Sequence, residues 1–187
     1  MRIVPSIVRV LALILVAVGV ASAQTPTQKE PDVPYVPTHE RVVAEMLKVA
    51  KVKKSDVLYD LGSGDGRIVI TAAKKFGTRG TGIELLPTLV QEARENARKA
   101  GVSDRAKFVE GDIFEANIRD ATVVTLYLLP AVNMKLRPKL LALRPGTRIV
   151  SHNYDLGDWT PQKTTKLKLD DGEHTVFYWV VPPRKKP

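Results

Sequence analysis

From Thr38 onward the apolar residues of this chain fall into two spacings, a three-to-four-residue repeat and short unbroken runs. Val42, Val43, Met46, Leu47, Val49 and Ala50 share one helical face, which predicts a helix from a cap at Thr38 to about Ala50. Val57-Leu58-Tyr59-Asp60-Leu61 is a short apolar run and reads as a buried strand, followed by a glycine-rich turn from Gly62 to Gly66. Ile68, Ile70, Ala72 and Ala73 predict a helix over about Arg67 to Phe76, stopped by Gly77. The alternation then repeats. Arg79 to Glu84 reads as a strand, and Pro87 opens a helix whose inner face is Leu89, Val90, Ala93, Ala97 and Ala100. Ala106 to Val109 is a third strand and Thr122 to Leu129 a fourth. A helix from about Val132 to Leu143 ends at Pro145-Gly146, and Thr147 to His152 is a fifth strand. Lys163 to Leu169 and Thr175 to Val181 alternate, with Asp171-Gly172 between them as a hairpin turn.

Strands alternating with helices predict an α/β fold: a seven-stranded, mostly parallel sheet with helices on both faces and a C-terminal antiparallel hairpin. The folded domain is expected over residues 38–181. Upstream, Pro26, Pro31, Pro34 and Pro37 deny a helix to residues 24–37, which read as a linker or extended arm. Residues 1–23 carry Arg2 and Arg9, an apolar stretch and then Ala21-Ser22-Ala23, the order of an export signal or an N-terminal anchor. The run from Val10 to Ala23 is 14 residues, short of the ~20 that cross a bilayer as a helix. The domain is therefore expected outside the cytoplasm, exported or anchored at the membrane.

The composition adds limits. The net charge is +9, with basic residues scattered and gathered in the 182–187 tail, which suits an acidic protein, nucleic acid or anionic lipid as partner and equally a solvated basic surface. There are no cysteines, which excludes disulfides, cysteine metal sites and a thiol nucleophile. His39 and His174 lie apart in the sequence and suggest no metal site.

In open α/β sheets ligands bind beyond the carboxyl ends of the strands, so the turns there are where chemistry is expected. Asp60-Leu61-Gly62-Ser63-Gly64-Asp65-Gly66-Arg67 leaves the first strand and opens a helix; its glycines let a ligand approach the backbone, and the helix start offers free N–H groups. Glu84 ends the second strand, where a carboxylate can accept from both hydroxyls of a ribose. Asp112 follows the third strand, where a carboxylate can accept from an exocyclic amine such as that of adenine. Three acids after three successive strands read as one nucleoside site. The nicotinamide fingerprint needs its third glycine at the position of Arg67, and no Walker lysine follows the loop. Asp60 would repel a pyrophosphate and suits an ammonium instead. S-adenosylmethionine (SAM) carries a ribose, an adenine, an ammonium and a sulfonium, and it fits this set.

On these residues the chain resembles the class I, Rossmann-like SAM-dependent methyltransferases over about residues 34–181. The resemblance implies cofactor contacts at Asp60, Gly62, Ser63, Gly64, Gly66, Glu84 and Asp112. Pro34-Tyr35-Val36-Pro37-Thr38 together with the glycine turn looks more narrowly like the mitochondrial lysine methyltransferases of the ATP synthase c subunit and the adenine nucleotide translocase. It looks more distantly like the non-SET histone lysine methyltransferases. That likeness implies lysine N-methylation of a protein, with no nucleic acid as substrate. Export and a cofactor made in the cytosol pull against each other.

Methyl transfer from a sulfonium is an in-line displacement, so positioning dominates and no strong base is required. Tyr35 near the cofactor mouth and Tyr127 near the end of the fourth strand are the candidate catalytic residues, able to orient an amine through an oxygen or a ring face. His152 and Asn153 end the fifth strand; the histidine reads as a base or, more simply, as a structural residue. Trp159 and Trp179 read as packing residues, and Asn133 as a cap or lining residue. Other readings are a methyltransferase for a quinone, lipid or small amine, and a SAM-binding module without catalysis. Base amino-methylation is disfavoured because the fourth strand ends Thr125-Leu126-Tyr127-Leu128-Leu129-Pro130 rather than Asn/Asp-Pro-Pro-Tyr.

Overall fold

A computed structural model describes residues 34–184. The expected signal or anchor at 1–23, most of the proline-rich arm and the last residues of the basic tail lie outside that range. Among the described residues no helix is long and apolar enough to cross a membrane.

The element order is α1 (Glu40–Val49), β1 (Val57–Leu61), α2 (Arg67–Phe76), β2 (Arg79–Glu84), α3 (Pro87–Lys99), β3 (Ala106–Glu110), β4 (Val123–Leu126), α4 (Pro130–Leu141), β5 (Arg148–His152), β6 (Lys163–Leu169) and β7 (Gly172–Val180). The seven strands form one sheet in the order β3-β2-β1-β4-β5-β7-β6. β1 to β5 are parallel; β7 runs antiparallel to β5 and carries β6 on its outer side. The order reverses between β1 and β4, which opens a crevice at their carboxyl ends.

Each strand divides its side chains between two cores, because successive Cβ atoms point to opposite faces. On one face α1, α2 and α3 pack Met46, Leu47, Val69, Ala72 and Ala93 against Leu58, Val123 and Val150. On the other, α4 packs Val132, Leu136 and Leu140 against Leu61, Val124, Leu126 and Ile149. Ile118 and Leu156, from loops, complete this second layer. β7 alternates cleanly, Val176 in the first core and Trp179 in the second. Trp159 packs on Trp179, whose Nε1 donates to the Trp159 carbonyl at 2.6 Å.

Several boundaries differ from the sequence expectation; β7 begins three residues early, at Gly172, and three others bear on the site. The cap of α1 is His39, whose Nδ1 accepts from the Arg41 N–H at 3.1 Å, and Thr38 is left outside the helix. α4 begins two residues early because Pro130 at its first position needs no N–H partner and already has helical φ. β4 stops at Leu126, opposite Leu61, where its partner β1 also ends. Tyr127, Leu128 and Leu129 are thereby released from the sheet.

A buried ion pair ties the far edge together. Asp56, 2% exposed, accepts from Arg148, from Thr122 Oγ1 at 2.9 Å and from the Lys53 N–H at 2.8 Å. Arg148 also donates to the Ala50 carbonyl at 2.7 Å. Helix α1, the start of β1 and β5 therefore share one network. Removing one member of a buried pair strands the other, so Asp56→Ala is expected to cost about 3 kcal/mol in urea unfolding, with part recovered by adding Arg148→Met. A loss below about 1 kcal/mol would show that water satisfies the arginine instead.

Candidate active site

The turns after β1, β2, β3 and β4, together with the arm before α1, line one cleft. Its floor is the glycine turn. The Gly62 and Ser63 N–H groups both donate to the Ile83 carbonyl, at 2.9 and 3.0 Å. Gly64 N–H donates to Glu84 Oε2 at 2.9 Å, and Leu86 N–H to Glu84 Oε1 at 3.0 Å. Gly62 and Gly64 have φ of 76° and 51°, which a side chain would strain. A Cβ at Gly62 would come within 2.9 Å of Leu128, and one at Gly64 would run into the Tyr35 ring. The two glycines thus let Leu128 and the Tyr35 ring close on the turn.

Most of the residues read from the sequence meet here. Tyr35, Asp60, Gly62, Ser63, Gly64, Glu84, Asp112 and Tyr127 all line the cleft. Gly66 does not. It lies beneath the turn with φ of 83°, where a Cβ would sit 2.5 Å from Phe108 and 3.0 Å from Ala93. It serves the packing of α2 on β3 and α3.

Asp60 is fully enclosed, and Thr125 Oγ1 donates to its Oδ1 at 2.7 Å. Burial pushes its carboxyl up to about 7; Thr125 opposes that shift, and the carboxylates of Glu84 and Asp65 add to it. Such a group is poised to ionise when a cation arrives. Asp112 accepts from the Phe114 N–H at 2.9 Å. Its loop is held by Lys139 of α4, which donates to the Ile113 and Phe114 carbonyls at 3.0 and 2.7 Å.

Sequence reading missed a clip between arm and turn. Arg67, which stands where a nicotinamide site would have glycine, binds Asp65 through two nitrogens at 3.0 and 2.7 Å and donates to the Thr38 carbonyl at 2.8 Å. Asn96 anchors Asp65 from α3 at 3.0 Å. Thr38, read as a helix cap, lines the cleft instead. The tyrosines are not bases. Burial and then Asp65 raise the Tyr35 phenol, and burial raises that of Tyr127, so both are neutral at physiological pH.

Behind Tyr127 the structure gathers the histidines that are separate in sequence. The ring of His152, 1% exposed, lies 3.9 Å from that of Tyr127. His152 Nε2 is 2.9 Å from His174 Nδ1, and His174 Nε2 is 2.9 Å from Asp171. Among the described residues there is no cluster able to hold a metal ion. Asn153 takes φ of 61° and pairs with Thr175 through both its N–H and its Oδ1, at 2.7 and 2.9 Å. Asn133 is buried at the second core and donates to the Asp155 carbonyl at 3.0 Å, away from the cleft.

The donor set fits the cofactor expected from the sequence. A glycine turn suits a close ligand, a buried acid lacking a full charge suits an ammonium, and two further acids suit hydroxyls and an amine.

Comparison with known proteins agrees. The family described as the ANTKMT methyltransferase domain matches residues 60–163. A protein-lysine N-methyltransferase of Saccharolobus islandicus is 48% identical over 81% of this chain and 95% of its own length. The mouse adenine nucleotide translocase lysine N-methyltransferase is 40% identical over 69% of this chain, a match that spans only 56% of that protein. A crystal structure described as an RNA methyltransferase from Salinibacter ruber, in complex with S-adenosyl-L-homocysteine, has a TM-score of 0.76 and 56% identity, covering 81% of this chain and 97% of that one.

The raised carboxyl of Asp60 has a measurable consequence for the ligand-free protein. The folded state holds that proton up to about 7, whereas an unfolded aspartate loses it near ~4. The stabilisation is complete below the unfolded value and is lost as pH rises through the folded one. Asp60→Asn lacks this term, so its melting temperature should rise relative to the parent as pH goes from about 4 to 7, then run parallel. A difference that is constant across the window would refute the buried, protonated state.

Proposed function

The chain belongs to the ANTKMT methyltransferase family and is a SAM-dependent enzyme, and on that premise we propose that it methylates lysine side chains of proteins. The observation that carries the proposal is the aromatic and apolar wall of Tyr35, Tyr127, Leu128 and Val132 in a cleft that offers an acceptor no unpaired cation. Its charged lining is Asp60, Asp65, Glu84 and Asp112 against a single Arg67, which is already bound to Asp65. An acidic cleft in a chain of net charge +9 attracts a cation and repels a phosphate backbone.

The roles follow from position. Asp60 holds the cofactor's ammonium, Glu84 its ribose and Asp112 its adenine amine, over the turn of Gly62, Ser63 and Gly64. When bound, the cofactor supplies an electrophilic methyl group on a sulfonium. The protein's part is to hold an uncharged amine in line with that methyl and to keep water away. Tyr35, Tyr127, Leu128 and Val132 give the cleft an aromatic and apolar wall. The ring faces attract the arriving ammonium, and removal from water favours its neutral, nucleophilic form. As neutral phenols the tyrosines orient the nitrogen rather than deprotonate it.

RNA is the second reading, on the strength of the Salinibacter ruber protein's description and the basic net charge. Against it, residues 125–130 lack the Asn/Asp-Pro-Pro-Tyr arrangement. Incubating the enzyme with methyl-labelled SAM and either histone proteins or total tRNA separates the two. Label recovered as methyl-lysine after hydrolysis supports the proposal; label recovered in nucleosides sinks it.

Asp112→Ala should weaken S-adenosyl-L-homocysteine binding by about tenfold or more in calorimetry, because a hydrogen bond to a charged group is lost. Glu84→Ala should weaken it further, since the glycine turn loses its anchor as well. Unchanged affinity in both variants would remove the nucleoside site.

A further inference from the structure

The hydrogen-bonded chain behind Tyr127 has a direction. Asp171 accepts only, so His174 must donate to it from Nε2, and His174 Nδ1 is left as an acceptor. His152 therefore donates from Nε2 to His174 at 2.9 Å, and its own Nδ1 becomes the acceptor. That Nδ1 lies 3.5 Å from Thr38 Oγ1, the outer limit of a hydrogen bond, and Thr38 is on the wall of the cleft. At the other end the Asp171 side chain is 56% exposed. A single line of donors and acceptors thus runs from the cleft, past a buried imidazole, to solvent. It crosses from the arm to β5, β7 and the hairpin turn.

We propose that Thr38, His152, His174 and Asp171 form a proton exit for the acceptor amine. This rests on the lysine reading. An acceptor ammonium must break one N–H bond before its nitrogen can attack. The proton goes to Thr38 Oγ as the hydroxyl proton moves to His152 Nδ1; the Nε2 proton of His152 moves to His174 Nδ1, and that of His174 leaves by Asp171 to water. One proton enters and one leaves, and the line is reset after product release, when a proton returns along it from Asp171 to Thr38 and passes to water in the open cleft. His152 is suited to pass a proton and not to keep it: burial first, then His174, lowers it to about 4, with Asp171 opposing. The other groups that face this line are Tyr127, Tyr154 and His39, with Arg67 held on the Thr38 carbonyl. Thr38 touches the cleft; the two histidines and Asp171 act through it.

The test uses the full chain, poly-L-lysine as probe and labelled SAM, over pH 6 to 10. Asp171→Asn and His174→Ala are compared with the parent, and S-adenosyl-L-homocysteine affinity is measured on each to establish a folded cofactor site. The expected result is a kcat lowered by about tenfold or more at neutral pH and below, with cofactor affinity unchanged. The deficit should close toward pH ~10, where a lysine amine deprotonates unaided, and added imidazole should rescue His174→Ala. A deficit equal at all pH values and indifferent to imidazole would make the histidines structural and overturn the relay. So would full activity of both variants. A parent enzyme inactive on poly-L-lysine and on histones would overturn the lysine reading, and the relay with it.

Discussion

The two oxygens of Glu84 hold the two turns from which the cleft is made. One accepts from Gly64 after β1, the other from Leu86 after β2, at 2.9 and 3.0 Å. A charged acceptor on two backbone N–H groups is among the stronger hydrogen bonds a protein makes. It fixes the turn in left-handed conformations at Gly62 and Gly64 that would otherwise be one choice among several. Everything nearby depends on that shape. Tyr35 lies where a side chain at 64 would be, and Leu128 close to where one at 62 would be. The same carboxylate that lines the cleft therefore builds its floor.

The electrostatics of the cleft run against those of the chain as a whole. Four carboxylates line it, one of them buried enough to hold its proton to about 7. Keeping Asp60 there costs stability at neutral pH, a cost that a cation bound beside it would offset. Arg67 does not discharge the site, because Asp65 and the Thr38 carbonyl take its donors. Its role is mechanical: it closes the arm over the glycine turn and sets Tyr35 and Thr38 on the cleft wall. The basic residues lie elsewhere, among them Lys163, Lys166 and Lys168 on the edge strand β6, where charge also discourages pairing with another sheet.

The antiparallel strand β7 is what brings the acceptor side of the cleft into contact with solvent chemistry. By entering between β5 and β6 it sets His174 against His152, residues 22 apart in sequence. The Asp171 turn then completes the line to water.

Much of this was legible in the chain itself. Local periodicity and punctuation located all seven strands and four helices, because each needs only its own spacing of apolar residues and its own Gly or Pro stops. The three acids and the glycine turn were legible too, since an α/β sheet sends every strand end to the same edge. What the sequence could not decide is what depends on partners distant along the chain. That Gly66 packs on Phe108, that Arg67 clips Thr38 and that His152 meets His174 are contacts between separate elements. β4 ends at Leu126 because β1 ends opposite it, and that ending is what frees Tyr127 for the cleft. Periodicity reports which face of an element is buried; only the packed sheet determines which side chains meet there, because the meeting is set by register and strand order rather than by neighbours in the chain.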